Sequence, residues 1–402
     1  MTYLYILSNL LFLFCIKKNK TTYTNGFIYV YWGLMLLYPM AIYMAYTMSS
    51  IYHVSEEIAI LIRNEDIINK VFRTASLALI TFGFLMFIKP IKKENQNTVQ
   101  TYSIKGYQCL YFILFPIALY LNSITNWTTD REGLLPSLAA YSRNLMTVTT
   151  VILILPRNVS ILKKLLFICL FMVITFASTQ RTNALIVIIA VIYTLKSSKS
   201  ALRLFFIGIL SLLILGSLRN GISATNLIYP ILGEGLFGGW GLLQAIDTID
   251  QSVSAFDQIL MPFNELINWF FHLIHIPFIL PTLSDVVTKT GVVYYPMGGF
   301  FYLSDAYLMH PIIGPILYTG LIYLIYYKCV NKFYTKHTPL SLICLSLLFD
   351  AVKGSLCVFT VMLLFHVICY YIVIMIVKHK IRYPLRNSLI ESRNNKKIIN
   401  IL

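Results

Sequence analysis

At 402 residues, with 58% hydrophobic residues, 12% charged residues and a mean hydropathy of +0.73, the chain departs from soluble domains, in which about a quarter of residues are charged. The formal net charge of +16 would suit a nucleic-acid binder, but the cations fall in short turns between long apolar runs and so record membrane topology instead. Composition therefore excludes a soluble enzyme and points to an all-α polytopic membrane protein, one integral membrane domain over 1–402.

In chain order, apolar runs suited to crossing about 30 Å of hydrocarbon predict helices over 2–16, 26–49, 75–89, 104–122, 140–156, 164–179, 183–195, 202–217, 306–327, 339–350 and 355–377. That makes about eleven transmembrane helices, in a range of ten to twelve because the first, seventh and tenth runs are short. The run at 2–16 has the length of a signal peptide. It is read as a helix because no basic region precedes it and no small-residue cleavage site follows.

Alternate turns are basic. One set carries Lys17, Lys18 and Lys20, then Lys89, Lys92, Lys93 and Lys105, then Arg157, Lys163 and Lys164, then Lys196, Lys199 and Arg203, then Lys328, Lys332 and Lys336. With the basic tail over 378–402 this set holds 23 of the 32 cations, and only Glu94 and Glu391 among the 16 acids accompany it. Lysine and arginine accumulate on the cytoplasmic side of membrane proteins. The amino terminus is thus expected outside and the tail inside. All seven cysteines fall in spans or at the cytoplasmic edge, so no disulfide framework is expected. No internal repeat of the kind that builds two-halved transporters is present.

The long segment over 218–305 is expected on the outer face and is read as the working face, since irregular backbone near a membrane persists only where protein or a water-filled cavity satisfies its polar groups. Its first part, 221–241, holds six glycines and one charge, Glu234, and reads either as a re-entrant stretch lining a pocket or as a packed apolar lid. In FNELINWFFHLIHI, Glu265, Asn268, His272 and His275 share one helical face, which favours an interfacial helix over a metal site. Tyr294, Tyr295, Phe300, Phe301, Tyr302 and Tyr307 then form an aromatic cluster suited to anchoring or to stacking on sugar rings. Asp305 and His310 stand at the mouth of the next span, Asp305 as the general-base candidate and His310 as a base or a helix-start residue.

Three outer arginines complete the candidates. Arg181, in STQRTNALIVII, is read as a functional intramembrane charge or as a snorkelling turn residue. Arg219, in GSLRNG, is a phosphate ligand or an interfacial anchor, and Arg143, in AAYSRNLM, ranks third.

The many spans, the large outer loop late in the chain, STQRTNALIVII, LRNG and SDAYLMHPIIGPILYTGLIY with Gly314 and Gly320 together resemble the O-antigen polymerases and related oligosaccharide repeat-unit polymerases of bacterial inner membranes. The resemblance implies a glycosyltransferase with the C-type superfamily architecture, its long loop and amino terminus periplasmic and its carboxyl terminus cytoplasmic. Such an enzyme would transfer a growing glycan from undecaprenyl diphosphate to the next lipid-linked repeat unit. Arg181 and Arg219, with Arg143 in reserve, would then hold the diphosphate, and Asp305 or Glu234 would take the acceptor proton. Tyr294, Tyr295, His272, His275 and His310 would meet sugar. Neither cofactor nor metal is expected. The implied partners are the undecaprenyl-diphosphate-linked oligosaccharide, membrane lipid and a chain-length regulator, with no nucleic acid. O-antigen ligases share the plan, and their loop histidine has no clear counterpart among His272, His275 and His310. A polysaccharide flippase or transporter is the alternative from another class.

Overall fold

The computed structural model describes residues 2–18, 25–47, 64–90, 104–125, 134–156, 159–178, 181–194, 241–247, 301–330, 338–353 and 356–377, with single positions at 239, 264, 267, 268, 271 and 280. In chain order the main helices are α1 (Thr2–Lys18), α2 (Asn25–Thr47), α3 (Glu65–Ile88), α4 (Lys105–Ile124), α5 (Leu134–Ile154), α6 (Ile161–Ser178), α7 (Arg181–Thr194), α8 (Tyr302–Met309), α9 (Ile313–Lys328), α10 (Thr338–Lys353) and α11 (Leu356–Val377). No strand occurs among the described residues. Among the described residues five segments are long and apolar enough to cross a membrane: 27–47 in α2, α3, α4, α6, and 359–377 in α11. The protein is thus helical and membrane-embedded. α5 has 21 residues but dilutes its apolar face with Arg143, Asn144 and three threonines.

Three expected boundaries are corrected. α3 begins ten residues before the expected 75 because its polar start is capped: the Asn64 side chain accepts from the Asp66 amide at 3.0 Å, Glu65 and Asp66 sit at the positive end of the helix dipole, and Lys70 pairs with Asp66 at 2.9 Å. α5 starts at Leu134 instead of 140, which leaves Arg143 well inside its helix. The single span expected over 306–327 is broken into α8 and α9 at His310–Ile312. The break has a local cause. Pro311 has no amide hydrogen to continue α8, and His310 Nδ1 accepts from the Ile312 and Ile313 amides at 3.1 Å each, capping α9 with a side chain. The helix expected over 202–217, most of the 218–305 loop and the 378–402 tail lie outside the described residues.

The chain divides into two compact units, the first made of 1–92, 197–331 and 344–364, the second of 93–196, 332–343 and 365–402. In the first, α1 packs along α3, α9 against α3, and α8 against α9. Its core is aromatic: Phe82 stacks on Tyr31 at 4.4 Å between centroids and meets Tyr323 edge-on at 5.1 Å, while Phe27 stacks on Tyr326 at 5.1 Å. The Lys18 ammonium lies 3.9 Å over the Phe87 ring, and the Tyr323 hydroxyl donates to the Lys89 carbonyl. Lys17, Lys18, Lys89 and Lys328 therefore gather at one end of this unit, and Glu65 and Asp66 lie at the other.

In the second unit α4 packs on α5 and α6, and α5 on α6 and α7. The Tyr111 hydroxyl donates to the Phe167 carbonyl at 2.6 Å, so α4 and α6 run parallel from a common end that carries Lys105, Lys163 and Lys164. Tyr141 meets Phe365 of α11 edge-on at 5.2 Å. The opposite end of this unit, where α4 and α6 finish and α7 starts, holds the site described next.

Candidate functional site

α5 reads LLPSLAAYSRNLMTVTTVILI, and six of its polar residues, Ser142, Arg143, Asn144, Thr147, Thr149 and Thr150, are buried. Thr147, Thr149 and Thr150 each donate to the carbonyl four residues back, at 2.9, 2.7 and 2.6 Å, so their hydrogens are used within the helix. Arg143 is 5% exposed, and its Nη1 donates to Asn122 Oδ1 of α4 at 3.0 Å. Asn122 is turned for that purpose by its own amide hydrogens, which go to Ala118 O at 2.8 Å and Ala139 O at 3.2 Å, with Ser142 Oγ at 3.4 Å. From α7, Asn183 Nδ2 donates to Asn144 Oδ1 and to Thr147 Oγ1, each at 3.0 Å. α5 is thus joined to α4 through the Arg143 guanidinium and to α7 through a buried cluster of two amides and a hydroxyl. These contacts lie near the finish of α4 and the start of α7, remote from the lysine-bearing end of the unit.

Arg181 is the first residue of α7 and precedes Asn183 by about 3 Å of helix rise. The Asn183 bonds therefore hold the start of α7 beside the stretch of α5 that carries Arg143. Sequence reading ranked Arg143 last of the three arginines, as a residue at the outer end of a span. The structure instead buries it in a network. Arg219, the partner first chosen for Arg181, lies outside the described residues, as do Glu234, His272, His275, Tyr294 and Tyr295.

Asp305 and His310 belong to the first unit. Asp305 is the fourth residue of α8, whose residues Tyr302 to Leu308 are all buried, and is itself 7% exposed. Its helix is pinned from both sides. The Tyr302 hydroxyl is 2.8 Å from the Tyr31 hydroxyl of α2 and 2.9 Å from Thr319 Oγ1 of α9. Phe301, just before α8, meets Tyr38 edge-on at 4.7 Å. His310 is exposed, and its Nδ1 serves as the cap of α9, the helix-start role anticipated for it. Among the described residues no three His, Cys, Asp or Glu side chains gather as a metal site would require.

Asn122, Asn144 and Thr147 were missed by sequence reasoning, and Asn183 was noticed only as a polar neighbour of Arg181. The available signal was polar residues recurring inside apolar helices, which in lipid need partners on other helices. Compared with known protein families, curated proteins and solved structures, the chain gives no significant match.

Proposed function

We propose that the protein is a polymerising glycosyltransferase of the bacterial inner membrane, with eleven spans in a C-type superfamily arrangement, its amino terminus periplasmic and its tail cytoplasmic. It joins lipid-linked oligosaccharide repeat units at the outer face. The observation that carries this reading is Arg143. An arginine within a membrane helix costs about 2.5–3.5 kcal/mol when central and is placed there for function by default. Asn122 of α4 meets this guanidinium as a neutral acceptor. A planar donor fork suits phosphate oxygens. A glycosyl diphosphate is already activated, so the enzyme's main tasks are to stabilise the departing diphosphate and to take the acceptor's proton. Arg143 and Arg181 serve the first. The resemblance assigns the second to a carboxylate, Asp305 or Glu234, and Arg219 to the diphosphate.

The test is glycan length in cells making a laddered surface polysaccharide with this protein as their polymerase. Arg143→Ala should collapse the ladder to single repeats at unchanged protein level, with a rate loss of about 100 to 1,000-fold if the contact acts like one oxyanion donor. Lysine should restore it only in part. Normal ladders from both Arg143→Ala and Arg181→Ala at normal protein level would overturn the reading.

A second reading, a lipid-linked oligosaccharide flippase, is favoured by the position of Arg143 and Thr147 inside α5: polar groups within a helix also suit a translocation path. In that case Arg143→Ala would leave single repeats undelivered to the surface as well.

A further inference from the structure

Two cysteines of the first unit, Cys329 at the end of α9 and Cys344 in α10, meet sulfur to sulfur: the Cys329 thiol donates to Cys344 Sγ at 3.2 Å. Both are free thiols, 3% and 8% exposed. The surrounding rings hold them there. Phe27 of α2 stacks on Tyr326 of α9 at 5.1 Å and meets Phe349 of α10 edge-on at 5.3 Å, so one side chain fixes both helices close to their cysteines. The Cys329 amide reaches back to the Ile325 and Tyr326 carbonyls, and residues 329–330 carry the chain on in a π turn, a local widening that recurs at functional positions of helices. A single buried thiol fills space as a small hydrophobe. Two in contact do more, because once either sulfur is oxidised its partner is already within reach.

We propose that Cys329 and Cys344 are a redox-sensitive pair whose disulfide, formed under peroxide, staples α9 to the Cys344 stretch of α10. Hydrogen peroxide oxidises the Cys344 sulfur, the more exposed one, to the sulfenic acid and departs as water. The Cys329 sulfur then attacks the sulfenic sulfur: the S–S bond forms, the S–O bond breaks, and the oxygen leaves as a second water with the remaining protons. Two electrons pass from the thiols to one peroxide, and a dithiol reductant returns them. Burial slows the first step, so the pair answers sustained oxidant and not a brief pulse. It adjoins Lys328, at the end of the unit read as cytoplasmic, where thiols are kept reduced, so the open form is the resting one. None of this depends on the polymerase reading.

The experiment treats the purified full-length protein in detergent with hydrogen peroxide, alkylates the remaining thiols after denaturation and maps the peptides by mass spectrometry. A Cys329–Cys344 crosslink should appear, and dithiothreitol should reopen it. The melting temperature should rise by several degrees and return on reduction, since the bond restrains the unfolded chain. Cys109 and Cys169, both exposed, report that the oxidant has acted. Cys329→Ala should lose the crosslink and the rise together; if that variant does not fold, the mapping of the unmutated protein decides alone. In growing cells the pair should be open, close under sustained peroxide and reopen after its removal. A pair that stays alkylatable in the purified protein after Cys109 and Cys169 are consumed would overturn the proposal. So would a pair that stays open in peroxide-treated cells, or a crosslink to another cysteine in its place.

Discussion

Gly314 offers the sharpest test of how the loop exit is built. A Cβ placed there would overlap the Ala306 carbonyl oxygen and lie 2.7 Å from its carbonyl carbon and 3.3 Å from its Cα. The obstruction is backbone, so no rotamer change relieves it and the start of α9 must move away from α8. That movement strains the His310 N–H bond to Ala306 O at 3.2 Å, the Gly314 N–H bond to His310 O at 3.0 Å, and the His310 cap. Overpacking typically costs about 1–3 kcal/mol, and each hydrogen bond lost adds about 0.5–1.5 kcal/mol. Gly314→Ala should therefore destabilise by about 3–5 kcal/mol, measured as reversible unfolding in mixed micelles or bicelles. Two controls are built into the same fold. A Cβ at Gly33 meets nothing within 4 Å, and one at Gly320 reaches only Leu85 Cδ1 at 4.0 Å. Alanine at either should be neutral or stabilise by up to about 1 kcal/mol through helix propensity. If Gly314→Ala unfolds with the two controls, the packing of α8 on α9 is not as described and the argument fails.

His310→Ala should cost about 1 kcal/mol through loss of the α9 cap, and His310→Asn, which offers a short side-chain acceptor, should recover most of it in the same unfolding measurement. Tyr302→Phe removes the hydroxyl between Tyr31 and Thr319, leaving two buried hydroxyls short of a partner, and should cost about 1–3 kcal/mol, whereas Tyr31→Phe, at the end of the chain of hydroxyls, should cost less. Arg143→Ala, described above, tests the charge.

Much of the fold was legible because lipid imposes a simple code. The alternation of basic turns sorted Lys17, Lys18, Lys89 and Lys328 onto one side, and the packing of α1, α3 and α9 brings those residues to one end of their unit. The same holds for Lys105, Lys163 and Lys164 in the other unit. What hydropathy could not read were boundaries set by local chemistry. α3 continues past its apolar part because Asn64, Asp66 and Lys70 stabilise a polar first turn. The break at His310 depends on an imidazole nitrogen turned back onto two amides, and Pro311 alone would equally have suited a kinked continuous helix.

The candidate site was legible only in its charges. A charged residue in an apolar chain is conspicuous, so Arg143, Arg181 and Asp305 were all visible, yet their ranking needed depth, and depth in turn needed the true start of α5. The neutral residues around Arg143 carry no such signal. Asn122 sits near a helix end where asparagine is common, and a threonine in a helix is ordinarily satisfied by the carbonyl four residues back, as Thr149 and Thr150 are. Thr147 makes that same local bond, and only the approach of Asn183 to its oxygen distinguishes it. The information that separates a threonine satisfied within its own helix from one that also joins two helices therefore lies in the register between α5 and α7.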